Sequence, residues 1–223
     1  MRRLLFITFY FPPAGGAGVQ RPLKFVKYLP DYGWLPIVLT VKSQAYPLID
    51  ESMEREIPPS VKVIRTPALL LPKKLPWRVR NFIARWLLIV DQQLGWLPFA
   101  IHQGLRVINS ENISAIYTTS APYTSHLIGL WLHKLTGTPW IADLRDPWIR
   151  NFSRSFPTRF HLKIALRLEE TVCRNADSIT VVSAPMRDML LEYHGKCGNI
   201  HIITNGYDAA DFSDVDTLSL IHI

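Results

Sequence analysis

Cysteine is scarce in this 223-residue chain: Cys173 and Cys197 are the whole complement. They lack metal-ligand spacing and form no disulfide framework, so a disulfide-stapled fold is excluded and a reducing compartment is expected. Long hydrophobic runs are missing as well, and no stretch reaches the length of a membrane-spanning helix. Met1-Arg2-Arg3 before Leu4 superficially matches a secretory leader. The apolar stretch is too short, however, and runs into Pro12-Pro13 and glycines with no small-residue cleavage site. A cytoplasmic location is therefore expected. Gly-Lys-Ser/Thr is absent, which excludes a P-loop ATPase. A strict Gly-x-Gly-x-x-Gly is absent too, and Val41-Lys42-Ser43 stands where a ribose-binding acid is expected, which disfavours a nicotinamide dinucleotide enzyme. No helix-turn-helix, zinc-finger or RNA-binding signature is present, so nucleic acid is not an expected partner. There is no internal repeat and no low-complexity segment.

What is present is a chain 48% hydrophobic with a net charge of +7. That is enough apolar material for a sizeable core, and the charge favours anionic partners. Leu4-Leu5-Phe6-Ile7-Thr8-Phe9 reads as a buried parallel strand. Pro12-Pro13-Ala14-Gly15-Gly16-Ala17-Gly18-Val19-Gln20-Arg21 follows directly. Val19, Leu23, Val26 and Leu29 then recur at helical spacing. The glycines thus join strand to helix, where backbone N–H groups and a helix N-terminus favour a phosphate. A tight turn without ligand fits the glycines equally well.

Strand and helix patterns alternate thereafter. Further strands are expected at Pro36–Val41, Val61–Arg65, Ala115–Thr119, Trp140–Ala142, Ser178–Val182 and Asn199–Ile203. Helices are expected over Tyr123–Leu135, Arg159–Cys173 and Pro185–Tyr193. This alternation predicts an α/β fold, a Rossmann-like parallel sheet with helices on both faces and ligands at the strand carboxyl ends. Leu69 to Gly104 interrupts the rhythm with basic residues interleaved among Trp77, Phe82, Ile83, Trp86 and Leu87. Residues 73–90 are expected either to lie on an anionic membrane surface or to form an ordinary core helix with a basic solvated face.

Two further strand ends carry polar groups. Thr118-Thr119-Ser120-Ala121-Pro122-Tyr123-Thr124-Ser125-His126 offers hydroxyls that cap a helix or bind a polar ligand. A lone histidine such as His126 is more often packed than catalytic. Asp143-Leu144-Arg145-Asp146-Pro147-Trp148 flanks one guanidinium with two carboxylates. Arg145 suits a phosphate or carboxylate, and Asp143 or Asp146 a proton or a sugar hydroxyl. An ion-pair cluster that merely shapes the loop fits the same residues.

Together these segments resemble the N-terminal domain of a family 4 glycosyltransferase of GT-B fold. The resemblance rests on Tyr10 to Pro22, Lys24-Phe25-Val26-Lys27-Tyr28-Leu29, Gly33-Trp34, Thr119 to Tyr123, Trp140 to Trp148 and Thr204-Asn205-Gly206-Tyr207-Asp208, in that order. It implies two Rossmann-like domains facing across a cleft, with a nucleotide-diphosphate sugar held mainly by the second and the acceptor mainly by the first. It further implies that Gly15, Gly16 and Gly18 approach the donor diphosphate through backbone N–H groups, with transfer that retains configuration and needs no metal or other cofactor. The implied binding residues are Gly15, Gly16, Ala17, Gly18, Gln20, Arg21, Ser120, Tyr123 and His126, and the implied catalytic residues are Asp143, Arg145 and Asp146. Arg145 stands where many relatives carry a histidine. Residues 1–203 form the expected acceptor-side domain, and 204–223 are expected to be the start of a truncated donor domain or an aberrant tail. The expected reaction is transfer to a glycan or lipid-linked acceptor in envelope or exopolysaccharide synthesis, at the inner face of the plasma membrane, with this chain an inactive half by itself. A nucleotide-sugar epimerase of the same architecture and a non-catalytic membrane- or partner-binding module are the alternatives.

Overall fold

The computed structural model describes residues 1–72, 74–151, 154–195 and 197–212. Lys73 and the tail Asp216–Ile223 lie outside them. Thirteen helices and strands follow one another as β1 (Arg2–Ile7), α1 (Gln20–Tyr28), β2 (Trp34–Val41), β3 (Lys62–Thr66), α2 (Trp77–Trp86), α3 (Leu97–Glu111), β4 (Ile113–Thr119), α4 (Thr124–Thr136), β5 (Trp140–Leu144), α5 (Arg159–Asn175), β6 (Ser178–Val181), α6 (Ala184–His194) and β7 (Asn199–Ile202). The strands form one sheet of order β3-β2-β1-β4-β5-β6-β7, every neighbouring pair parallel. The chain runs outward from β1 to β3 and then returns to lay β4 on the other side of β1. Right-handed crossovers running in opposite directions place their helices on opposite faces.

Alternate residues of β4 show this. Tyr117 meets Phe25 of α1 at a ring-centroid distance of 5.9 Å. Its neighbour Thr118 points the other way, where a side chain on Gly129 of α4 would collide with it and with Trp140. Leu5, Phe6 and Ile7 are fully buried, as a central parallel strand covered on both faces requires.

Several expected boundaries shift. β1 ends at Ile7, so Thr8 and Phe9 belong to the loop. A 3-10 turn, Ala17–Val19, separates the glycines from α1, so the helix proper opens at Gln20. β5 continues through Leu144, which places Asp143 inside the sheet rather than on the loop beyond it. The interrupted stretch contains α2 and most of α3. Pro98 lies in the first turn of α3, where its missing N–H costs nothing, and Gly104 lets that helix close on Leu132 of α4. Cys173 and Cys197 are neighbouring free thiols.

Candidate functional site

The β1–β4 reversal leaves a crevice at the carboxyl ends of the strands, the place where open α/β sheets bind ligands. A cleft of about 940 Å³ opens there. Ala17 and Gly18 line it from the glycine loop, Gln20 from the start of α1, Arg145 and Asp146 from the end of β5, and residues 204–208 from beyond β7.

Beneath the cleft, under Arg21, a row of buried polar groups is laid across three strands. Thr119, Asp143 and Thr180 are lateral neighbours in register on β4, β5 and β6. Both threonine hydroxyls donate to the Asp143 carboxylate, at 2.8 and 2.6 Å. Arg21 descends from α1 and completes the shell in bidentate fashion, Nε to Oδ2 at 3.2 Å and Nη2 to Oδ1 at 2.9 Å. Asp143 is therefore wholly buried with both oxygens doubly engaged. It positions Arg21 and has no oxygen left for a proton in transit. Burial by itself would weaken the Arg21 charge, but the Asp143 carboxylate holds its pKa above the ordinary value. The rest of that guanidinium grips the chain beyond β7, donating to the carbonyls of Ile203 and Thr204 at 3.0 Å each. Lys24 and Lys27 of α1 extend the grip through ion pairs with Asp208 at 3.0 and 2.8 Å. Lys24 also pairs with Glu56 and Asp211.

Arg145 does not pair with its sequence neighbours Asp143 and Asp146. Its Nε donates to the Ser120 carbonyl and its Nη1 to the Gly18 carbonyl at 2.9 Å. It thus ties the glycine loop to the β4 loop while lining the cleft. Burial pulls its pKa below the ordinary arginine value, with the charges of Asp143 and Asp146 acting the other way. Asp146 is exposed at the rim.

The other expected site residues divide. Gly16 takes φ +97°, which favours glycine, and the space beside Gly16 and Gly18 is open, so a ligand can approach that backbone. Gly15 sits elsewhere: its N–H already donates to the Leu48 carbonyl at 3.0 Å, and a side chain would press on Leu48. Gln20 lines the cleft while its amide nitrogen lies 3.5 Å from the Met53 sulfur. Ser120 is fully buried, its hydroxyl bracketed by the Asp143 carbonyl and the Arg145 amide. Tyr123 faces a neighbouring cavity and stacks on Trp148, its hydroxyl donating to the Pro147 carbonyl at 2.8 Å. His126 is not in the cleft. It is fully buried, Nδ1 meets the Thr118 hydroxyl at 2.8 Å, and burial pushes its pKa down to about 3. A neutral packed histidine results.

Thr180, Lys24 and Tyr10 are site residues that the sequence reading lacks, and Thr119 enters it only as one of a row of hydroxyls suited to a cap or a polar ligand. The threonines have a legible trace, a hydroxyl at the carboxyl end of an otherwise apolar strand. Tyr10 lines both the cleft and the adjoining cavity, and its position in the sequence carries no such mark.

Outside the cleft, α2 stands almost free of the core, with none of its residues buried. Trp77 and Phe82 are 75% and 57% exposed. Residues 57–90 contain Lys62, Arg65, Lys73, Lys74, Arg78, Arg80 and Arg85 and no acid. No helix among the described residues is long and apolar enough to cross a membrane.

No curated protein sequence matches the chain. Among solved structures, sucrose-phosphate synthase from Thermosynechococcus elongatus superposes over 100% of this chain and 53% of its own, with a TM-score of 0.66 at 17% identity. UGT2 of Phytolacca americana, complexed with UDP-2-fluoroglucose and pterostilbene, covers 95% of this chain and 56% of its own, with a TM-score of 0.59 at 12% identity. Arabidopsis thaliana UGT89C1, complexed with UDP-L-rhamnose, covers 95% and 54%, with a TM-score of 0.52 at 13% identity. At these identities the likeness is one of fold, and the chain spans about half the length of each of these proteins. The glycosyl transferase 4-like domain family matches residues 16–206, from the glycine loop through the polar row on β4, β5 and β6 to the turn after β7. The chain therefore belongs to that family and has the architecture of an N-terminal GT-B domain.

Proposed function

We propose that this chain is the acceptor-side half of an enzyme that moves a sugar from a nucleotide-diphosphate sugar to a glycan or lipid-linked acceptor in envelope or exopolysaccharide synthesis. The observation that carries the reading is the open backbone at Gly16–Gly18 beside the Arg145 guanidinium, at the mouth of a cleft of about 940 Å³. A diphosphate seated there meets peptide N–H groups and a partly buried cation together, which is the arrangement that stabilises a departing phosphate. The UDP-sugar complexes of the Phytolacca and Arabidopsis enzymes, which share the fold, support the donor class. The exposed aromatic and basic face of α2 supports work at an anionic membrane surface.

In mechanism, Asp143 fixes Arg21, Arg21 holds the chain beyond β7 against α1, and Arg145 sets the glycine loop at its distance from β4. These groups orient and neutralise charge. Asp146, exposed at the rim, is the carboxylate free to meet a sugar hydroxyl.

The test is turnover of a panel of labelled sugar nucleotides by the complete gene product, with and without a bacterial lipid extract. Label entering the lipid or glycan fraction, with release of nucleoside diphosphate, is the expected result. Arg145→Ala should slow it roughly a hundredfold. Conversion of the sugar nucleotide without any acceptor would make the protein an epimerase, and full activity of Arg145→Ala would remove the diphosphate assignment.

A further inference from the structure

A second cavity of about 580 Å³ adjoins the cleft and shares Tyr10 and Ala121 with it. The two spaces meet at those residues, so a group seated in the cavity lies next to the cleft. One wall is α2, through Asn81, Ala84 and Arg85, and another is the segment Arg154 to Pro157. Its volume is that of a small-molecule site.

The charges in this cavity have a direction. Its one acid among the described residues, Asp91, is already engaged: Oδ2 accepts from the Thr124 N–H at 2.8 Å, and Oδ1 from the Thr124 hydroxyl at 2.6 Å and the Gln93 N–H at 3.0 Å. It caps α4 and offers little to a ligand. Arg154 is braced between the rings of Tyr123 and Phe156, at 5.0 and 5.3 Å, and donates to the Ile89 and Val90 carbonyls. Its guanidinium is thereby fixed in the cavity wall. Arg85 has no acidic partner among the described residues and reaches the cavity from α2. A fixed cation and an unpaired one, with amide and tyrosine groups around them, suit an anionic oxygen-rich head.

The surroundings say what kind of molecule brings that head. Arg85 belongs to the same helix as the exposed Trp77 and Phe82, and Leu87, 64% exposed, follows directly. An apolar chain attached to a head in this cavity has an apolar track beside it on leaving. We propose that the cavity seats the phosphate-bearing head of an amphiphilic acceptor whose hydrocarbon chain runs along α2 in the membrane surface. The proposal rests on the glycosyltransferase reading and narrows its acceptor to anionic lipids.

Calorimetric titration of the full chain tests it with three probes: octyl phosphate below its micellar concentration, octyl glucoside and inorganic phosphate. Octyl phosphate should bind saturably and at least about tenfold more tightly than either of the others. Arg85→Gln should weaken it about tenfold, the loss of one charge-assisted hydrogen bond. Arg78→Gln, on the same helix but outside the cavity, should change it less than about twofold. Equal binding of octyl glucoside would overturn the anionic head. Equal binding of inorganic phosphate would overturn the lipid source and leave a free-anion site. Equal losses in both arginine variants would overturn the cavity and leave only the charge of α2. None of these titrations uses a sugar nucleotide, so a failed transferase reading shows separately, as absent turnover with octyl phosphate binding intact.

Discussion

Asp143 and Gly16 show how one residue type serves different ends. A carboxylate beside an arginine in the sequence invites a catalytic reading, yet Asp143 is spent on Arg21, Thr119 and Thr180. Removing one partner of a buried pair leaves the other charged and stranded. Asp143→Ala should therefore lower the unfolding free energy by about 3–5 kcal/mol, read from denaturant midpoints. An unchanged midpoint with lost activity would return Asp143 to the chemistry. Gly16 and Gly18 both have open space where a side chain would go, but only Gly16 has a positive φ, +97°. Gly16→Ala should cost about 1–2 kcal/mol and Gly18→Ala close to nothing, by the same measurement.

Helix α2 behaves unlike its neighbours because it has almost nothing to lose. Trp77 and Phe82 face solvent, so replacing them removes little packing. Trp77→Ser with Phe82→Ser should leave stability within about 0.5 kcal/mol of the parent. Binding to vesicles containing anionic lipid should fall sharply in the same variant, and in the parent it should weaken as salt rises. Vesicle flotation that shows no difference between parent and variant would mean that this helix face is simply solvated. By contrast, α4 is locked: Gly129 lies against Trp140 and Thr118, so Gly129→Ala should destabilise by about 1–3 kcal/mol.

For the molecule as a whole, two histidines set opposing pH limits. His126 is buried neutral and resists protonation until about pH 3. Below about pH 6.5 the unfolded chain takes up a proton that the folded one refuses, so stability falls with falling pH by about 1.4 kcal/mol per unit. His194 is the reverse. Its hydrogen bond to Glu169 at 2.9 Å raises its pKa, so its contribution is complete below about pH 6.5 and is lost as pH rises through the raised value. His126 should make stability fall from pH 6.5 to pH 5, and denaturant titrations at those two values check it. His126→Asn should flatten the acid side alone.

The alternation of apolar runs, the glycine loop after β1 and the turn after β7 were legible along the chain because each is a local pattern of a few residues. Helix periodicity and strand runs need no distant partner to be recognised, and they sufficed for the parallel α/β sheet, whereas the family rested on the resemblance of the motif segments between Tyr10 and Asp208. The long helix α3 lay partly inside the stretch from Leu69 to Gly104 that interrupts the rhythm, and its Pro98 in the first turn and Gly104 at a helix crossing are both compatible with a helix. The partner of Asp143 was legible as an arginine but not as Arg21, 122 positions away, in preference to Arg145, two positions away. Ion pairs are selected by which side chains the crossovers bring to one face of the sheet, and period alone does not carry that. The same holds for His126, whose neutrality comes from the depth of α4 on β4, and for the cavity beside α2, whose walls come from segments about seventy residues apart. Local pattern thus decided the elements and their kind, while packing across the sheet decided which polar groups are spent on the fold and which are left to meet a ligand.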